Sequence, residues 1–211
     1  KFRDTTTIQL PFDEILVENK SFSNSVQMQY KASKNFTFNA SISNGFRNPN
    51  TDDIGKIFSK DDISVVLPNN QLSPEKSINF ETGIVANFNK LITFQLQVFQ
   101  TQIIDAIEKR YAKLNGNDSI IYDGEMMKVM MNQNIGKATI SGLNFAYHIN
   151  LTKRLSHNSS INILRGETSD KLPLAHIPPK NIISELNYSI KKQLISFSIH
   201  YNGIKKAEDY D

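Results

Sequence analysis

The chain contains no cysteine among its 211 residues. A disulfide framework, a thiolate metal site and cysteine-based catalysis are therefore excluded. Long apolar runs are also missing, because no segment approaches the roughly 18 consecutive apolar residues that a membrane-spanning helix requires. A membrane-spanning strand is not excluded, because its signal is alternation rather than continuous hydrophobicity.

A strong charge of one sign is missing as well. The formal net charge is +3, and the lysines are scattered along the chain rather than gathered into one basic stripe. This distribution argues against nucleic acid as a partner. Hydrophobic residues make up 39% of the chain, which suits either one ordinary core or a piece of something larger. The first residue is Lys1 and no signal peptide follows it, so we expect a piece of a longer chain.

Alternating side chains dominate the sequence. In each run, apolar residues occupy every second position and polar residues occupy the positions between them, as in a strand with one hydrophobic and one hydrophilic face. The runs are Val26–Ala32, Phe36–Ile42, Ile78–Phe88, Ile92–Val98, Leu143–Ile149, Leu186–Ile190 and Ile195–Tyr201, with a weaker one around Ile161 and Ile163. These runs predict about eight strands and an all-β fold.

The connections between these runs alternate in length. The short ones are Lys31–Asn35, Asn87–Leu91, Asn150–Leu155 and Ile190–Leu194, and the long polar ones are Phe46–Glu75, Ala112–Glu125 and Glu167–Pro179. Short turns at one end and long loops at the other are typical of antiparallel, up-and-down strands in an outer-membrane β-barrel. A Greek-key sandwich has no reason to sort its loops in this way.

In the wall of a barrel, the two alternating sets of side chains point to opposite faces. We expect the apolar set to face lipid, as in Phe38, Ile42, Phe94, Leu96, Phe197 and Ile199. We expect the polar set to face the lumen, as in Asn39, Ser41, Gln95, Gln97, Ser198 and His200. Aromatic residues at strand ends, such as Phe36, Phe88, Tyr147, Tyr188 and Tyr201, suit interfacial girdles as well as ordinary β-propensity.

Three short motifs resemble those of the TonB-dependent outer-membrane receptor family. "NGFRNPNTDDIG" contains a Gly-Phe-Arg-x-Pro box at Gly45, Phe46, Arg47 and Pro49, and "LPNNQLSPEKSINFETGI" contains a Leu-x-Pro-Glu box at Leu72, Pro74 and Glu75, with Glu81 and Gly83 at its end. "NIGKATISGLNF", Asn134–Phe145, is similar to the family's Asn-x-Gly-x-Ala-x-x-x-Gly strand, and "YDGE" with "LPLAHIPPKN" is similar to receptors of the Bacteroidetes type.

The resemblance implies a wall segment over residues 1–211 of a larger barrel in the outer membrane of a bacterium, with a small barrel closed on itself as the alternative. Barrels of the family close about 22 strands around a plugged lumen, so we expect further strands, a plug domain and an energy-coupling box outside this chain. The implied partners are the lipid bilayer, the TonB complex through the plug, and a scarce transported ligand. That ligand is an iron chelate (siderophore) or haem, and no resident cofactor is implied.

Catalytic and metal motifs do not stand out. The histidines are His148, His157, His176 and His200, of which His157 falls in a predicted turn region, and none belongs to a metal-spaced or catalytic motif. We therefore expect no enzyme and no catalytic or metal site. The methionines at positions 126, 127, 130 and 131 suit a packed loop-to-strand junction better than a thioether metal site.

Candidate ligand-binding residues lie in the predicted long loops. Arg47 either contacts a ligand or bonds structurally at the barrel rim, for instance to Glu75. The acidic pairs Asp52–Asp53 and Asp61–Asp62 suit a solvated loop better than a hard-cation site, because they lack calcium-loop spacing. Gly45 and Pro49 are expected to end the strand ladder.

The choice of ligand depends on histidine. Haem receptors that resemble this family place a histidine ligand between the two boxes, whereas this chain has none from Arg47 to Leu72. His176 in a later loop is the substitute, although it also suits a backbone-bonding role near Pro178 and Pro179. The sequence thus favours a ferric chelate over haem. The alternative function is a soluble β-sandwich, either an adhesin or a carbohydrate-binding module.

Overall fold

A computed structural model describes residues 2–3, 8–12, 14–15, 18, 20–89, 91–174 and 176–204 of the chain. The chain divides into two compact units. Unit 1 comprises Lys1–Ser23, Gly45–Lys76 and Ile103–Lys137, and unit 2 comprises Asn24–Asn44, Ser77–Gln102 and Ala138–Asp211. None of the helices in the described ranges is long and apolar enough to span a membrane.

The described residues form fifteen strands and one short helix. In chain order they are β1 (Phe2–Arg3), β2 (Glu14–Ile15), β3 (Asn24–Lys31), β4 (Phe36–Arg47), α1 (Thr51–Ile54), β5 (Phe58–Asp61), β6 (Ser64–Leu67), β7 (Glu75–Phe88), β8 (Ile92–Ile104), β9 (Ile107–Tyr111), β10 (Ser119–Tyr122), β11 (Glu125–Asn134), β12 (Lys137–Asn150), β13 (Leu155–Thr168), β14 (Asn181–Ile190) and β15 (Gln193–Asn202). β1 and β2 form a separate antiparallel pair.

The main sheet has eight strands in the order β15-β14-β13-β12-β8-β7-β4-β3. Each strand lies beside the one that precedes or follows it among these eight, and the registers of β3–β4, β12–β13, β13–β14 and β14–β15 are antiparallel. These eight strands coincide with the eight alternating runs of the sequence. The prediction of antiparallel, up-and-down strands is confirmed, and so is the alternation of short and long connections.

The register sorts the side chains of this sheet into two faces. Leu143 lies opposite Ile163, and Leu186 lies opposite Phe197, so most apolar residues of neighbouring strands share one face. Most amides lie on the other face together with many hydroxyls, and there Gln29 bonds Asn39 (3.1 Å) and Thr101 bonds Asn79 (2.7 Å). We call these the apolar face and the polar face of the main sheet.

A row of aromatic rings crosses the apolar face. Phe36 and Phe88 meet edge to face at 5.6 Å between centroids. The row continues through Phe94, Phe145 and Tyr147, with centroids 6.1 to 6.4 Å apart. It ends at His157, whose ring is bonded by the Tyr147 hydroxyl (3.1 Å) and the Ser184 hydroxyl (2.9 Å). His157 is therefore part of β13, although the sequence had placed it in a turn.

Unit 1 contains a second sheet that the alternation pattern did not predict. Its order is β10-β11-β6-β5, with β9 also paired to β11, and the β11–β6 pair is parallel. Its core is the cluster of Leu10, Val65, Leu67, Leu114, Met127 and Val129. The connections 46–75 and 112–125 are therefore partly folded into strands. Their signal is a short continuous apolar run, "SVVL", which suits a strand buried on both faces.

The turn that joins β10 to β11 is explained by the two residues that form it. Asp123 and Gly124 join β10 to β11 with φ angles of +52° and +86°. Two positive φ angles in a two-residue loop correspond to the hairpin turn that matches strand twist, and Asp-Gly is a preferred sequence for it. Gly116 and Gly124 of "NGNDSIIYDGE" both have positive φ angles, as turn glycines do.

Candidate functional site

The predicted site residue Arg47 lies between two carboxylates of unit 1. Its Nη1 donates to Asp53 Oδ2 at 2.6 Å, and its Nε donates to Glu75 Oε2. The Arg47 side chain is 44% exposed, whereas each carboxylate is 16% exposed. One cation and two anions make a cluster with a net negative charge, so Arg47 offers no surplus positive charge to an anionic ligand.

Both carboxylates are also bonded to backbone. Glu75 Oε1 accepts from the Ile107 N–H at 2.7 Å, which ties the start of β7 to the start of β9. Asp53 Oδ2 accepts from the Asn50 N–H at 3.0 Å, and Asn50 Oδ1 accepts from the Asp53 N–H at 2.9 Å. This reciprocal capping box starts α1 immediately after the Gly-Phe-Arg-x-Pro box.

The third motif meets the second through asparagine side chains. Asn134 Oδ1 accepts from Ser73 N–H (2.9 Å), while its Nδ2 donates to the carbonyls of Ser73 (3.0 Å) and Asp105 (2.6 Å). Asn132 Nδ2 likewise donates to the Asp53 carbonyl at 3.0 Å. The three boxes of the sequence, far apart along the chain, are therefore joined by hydrogen bonds within unit 1.

The remaining motif residues support this cluster by packing. Pro49 is buried, Leu72 is 8% exposed and Pro74 is half-buried. Gly45 is half-buried, whereas Phe46 is 42% exposed. We call Arg47, Asp53, Glu75 and the bonded backbone of Ile107 the Arg47 clasp.

Asp52 and Asp61, two other acidic residues of the first long connection, have local partners. Asp52 is exposed and pairs with Lys56 Nζ at 2.7 Å. The pKa of Asp61 is lowered because the Ser64 hydroxyl (2.6 Å) and then the Ile63 N–H (3.0 Å) donate to its carboxylate. Across the part of the chain that the structure describes, no three His, Asp or Glu side chains converge in a way that could hold a metal ion.

His176 belongs to unit 2, in the connection between β13 and β14. It is exposed and has a φ of +60°, which is unusual for a residue other than glycine. The start of this connection folds back on β13, because Leu174 N–H donates to the Gly166 carbonyl at 3.0 Å. Gly166 leaves room for this fold, since a Cβ there would lie 2.6 Å from the Ile177 side chain.

The methionines are mostly packed rather than gathered at a metal site. Met127 and Met130 are each 6% exposed, and Met127 belongs to the core of the second sheet. Met126 is 68% exposed. Their arrangement along β11 agrees with the packing role that the sequence favoured.

A concave region on the polar face of unit 2 is the other candidate site. Its lining includes Thr93, Gln95, His148, Asn158 and Glu185. His148 Nδ1 lies 2.5 Å from Asn158 Oδ1. Amides, hydroxyls and one carboxylate equip this surface for hydrogen bonds with a polar partner. The alternation predicted a hydrophilic face here. The residues come from four strands, however, and the sequence did not predict that these particular residues lie together.

Comparisons with known proteins converge on one family. The sequence model described as "TonB dependent receptor-like, beta-barrel" matches residues 2–203. The hemoglobin-haptoglobin utilization protein B of Neisseria meningitidis serogroup A (serotype 4A, strain DSM 15465 / Z2491) is 26% identical over 185 residues, which are 79% of this chain and 23% of that protein.

Two solved structures illustrate the shared fold. The ferric enterobactin receptor of Pseudomonas aeruginosa, solved with enterobactin, has a TM-score of 0.70 and 17% identity, over 86% of this chain and 28% of that chain. The copper transporter OprC has a TM-score of 0.66 and 16% identity, over 84% and 26%. The chain thus spans about a quarter of the length of the proteins it matches.

Proposed function

The chain belongs to the TonB-dependent receptor β-barrel family, and on that premise we propose that it is barrel wall from an active importer in the bacterial outer membrane. The observation that carries the proposal is the family match over residues 2–203, on a sheet with one apolar and one polar face. The family is one of outer-membrane receptors rather than enzymes. The alternative of a soluble adhesin or carbohydrate-binding module has no support from the fold or the comparisons.

The importer would bind a scarce ligand outside the cell and release it inward when energised. Its proposed partners are the lipid bilayer around the apolar face and the TonB complex, reached through a plug domain. In this arrangement the polar face lines the lumen. Nucleic acid is not among the proposed partners.

The proposed ligand is a ferric chelate or haem, with the chelate preferred. The preference rests on the first long connection, because no histidine lies between Arg47 and Leu72 to ligate haem iron. The matched relative is named for hemoglobin-haptoglobin utilization, and one matched structure is a ferric enterobactin receptor. Because these two proteins are only 26% and 17% identical to the chain, neither one decides the ligand, and both ligands stay in the proposal.

Among the candidate contact residues, His176 is exposed and so is Asp52, which pairs with Lys56, whereas Arg47 and Asp53 are held together in the Arg47 clasp. We assign Arg47, Asp53 and Glu75 to positioning the first long connection. The ligand contacts are assigned to exposed polar residues of the long connections, Asp52 and His176 among them.

Growth on a defined iron source tests the ligand. The full-length receptor is expressed in a host that lacks its own receptors, with either haem or a ferric siderophore as the sole iron source. We expect growth on the chelate, and we expect it to persist in His176→Ala, because contacts to a chelate are spread over several polar residues of the long connections. His200→Ala, a change outside the long connections, serves as the matched control. Strong haem growth that His176→Ala alone abolishes would overturn the preference for a chelate.

A further inference from the structure

We propose that the four short turns of the main sheet form one cationic row that binds the headgroups of anionic phospholipids. The row, here called the turn row, consists of Lys31–Asn35, Asn87–Leu91, Asn150–Leu155 and Ile190–Leu194. Because neighbouring strands are antiparallel and consecutive hairpins lie side by side, the sheet order brings all four turns to the same end of the sheet.

The turn row carries charge of only one sign. Its cations are Lys31, Lys34, Lys90, Lys153, Arg154, Lys191 and Lys192, and its sequence contains no aspartate or glutamate. The three long connections have the opposite balance, with ten carboxylate residues and five lysines or arginines. The asymmetry therefore distinguishes the two kinds of connection, although the net charge of the whole chain is small.

Hydrogen bonds between successive turns make the row continuous. They run from Asn87 N to Asn35 O (2.8 Å), from Asn150 N to Leu91 O (2.7 Å) and from Ser189 N to Arg154 O (2.7 Å). Within single turns, the Ser33 and Thr152 hydroxyls accept further backbone N–H bonds. The backbone that carries the cations is therefore held in place, which lowers the entropy cost of binding several headgroups at once.

The cations are available to an external anion. All of the turn-row cations that the structure describes are exposed, and within the described ranges none of them forms an ion pair with a carboxylate. In the long connections, by contrast, Lys56 and Lys171 pair with Asp52 and Glu167.

The aromatic row places these cations at headgroup depth. Aromatic side chains of membrane proteins collect where the hydrocarbon meets the headgroups. Phe36 and Phe88 of the aromatic row flank the first two turns, and Tyr188 lies three residues before Lys191. At about 3.3 Å per strand residue, the cations extend within about 10 Å beyond the aromatic level. That is where lipid phosphates lie.

Anionic phospholipid is the partner that this chemistry selects. Each lysine or arginine near a membrane surface is attracted to anionic headgroups, and a cluster recognises them through several such contacts. The inference rests on the outer-membrane location of the family. It does not depend on which ligand is transported, so its test can fail while the proposed import function stands.

The test measures the lipid bound to the full-length receptor. The purified receptor is mixed in neutral detergent with equal amounts of dioleoylphosphatidylglycerol and dioleoylphosphatidylcholine, and bound lipid is counted by native mass spectrometry. The row variant carries Lys153→Gln, Arg154→Gln, Lys191→Gln and Lys192→Gln. The matched control carries Lys56→Gln, Lys60→Gln, Lys113→Gln and Lys171→Gln, which removes the same charge from the long connections. A third variant keeps the charge with Lys153→Arg, Lys191→Arg and Lys192→Arg.

We expect the wild type to prefer phosphatidylglycerol, and the row variant to lose at least about tenfold of that preference. The control and the charge-preserving variant should keep it, and higher salt should weaken it in the wild type. Circular dichroism confirms that each variant is folded. The proposal is overturned if the row variant retains phosphatidylglycerol like the wild type, or if the control loses as much. Impaired import with unchanged lipid binding would assign the turn row to a protein partner instead.

Discussion

At the residue scale, the Arg47 clasp shows how one side chain connects two motif boxes of the sequence. Its guanidinium contacts Asp53, which follows the first box, and Glu75, which completes the second. Glu75 in turn accepts from the Ile107 backbone. Loss of the cation leaves two partly buried carboxylates without their shared partner, and the repulsion between them then acts on the connection.

The first prediction concerns this clasp. Arg47→Ala should lower the free energy of unfolding of the full-length receptor by about 1 to 2 kcal/mol, because each carboxylate is only 16% exposed. Arg165→Ala is the matched control. Arg165 is 83% exposed and pairs with Glu167 at 3.1 Å, so its loss should cost less than about 0.5 kcal/mol. Urea unfolding in lipid vesicles gives both values.

A ligand-binding role for Arg47 makes a different prediction. In that case Arg47→Ala would weaken ligand binding strongly while leaving the unfolding free energy close to that of Arg165→Ala. The measured pair of effects therefore separates the positioning role of Arg47 from direct contact with the ligand.

At the element scale, each strand of the main sheet places successive residues on opposite faces. Leu96 lies on the apolar face and is 38% exposed. Gln97, the next residue of β8, faces the opposite way and accepts from Asn144 Nδ2 at 3.3 Å. A shift of register by one residue would exchange these two environments.

The second prediction follows from that difference. Leu96→Arg should cost about 2 to 4 kcal/mol if the residue lies near mid-membrane, whereas Gln97→Arg should be tolerated. The reason is that only Leu96 would place its charge in hydrocarbon. Folding titrations into vesicles compare the two variants directly. Equal costs at the two positions would contradict the assignment of the apolar face to lipid.

At the scale of the whole molecule, the alternation of short and long connections predicts the orientation in the membrane. The long connection 46–75 should be extracellular, and the turns Lys31–Asn35 and Lys191–Gln193 should be periplasmic. Because the chain contains no cysteine, single cysteines can report on each side without background from this region.

The third prediction is the labelling pattern. On intact cells, a membrane-impermeant thiol reagent should label Lys60→Cys and should reach Lys191→Cys only after the outer membrane is permeabilised. Both residues are exposed, so local burial does not bias the comparison. The reverse pattern would mean that the short turns face outward and would also move the turn row to the other leaflet.

The sequence predicted the main sheet well because its signal is local. In β8, for example, Ile92, Phe94, Leu96 and Val98 alternate with polar residues, and the parity of a strand follows directly from such neighbours. The second sheet escaped prediction because Val65 and Val129 are buried without alternation. The candidate site was predicted only as separate boxes, since a bond such as Asn134 to Ser73 joins residues that lie 61 positions apart.

The sequence by itself determined the strand faces, the order of short and long connections, and the family that the motifs resemble. Only the tertiary structure decided which distant residues act together. Arg47 acquired two carboxylate partners, and lysines that are scattered along the chain were collected at one end of the sheet. The physical reason is that alternation depends on adjacent residues, whereas a charged cluster depends on strand order and register, which pair residues regardless of their separation in sequence.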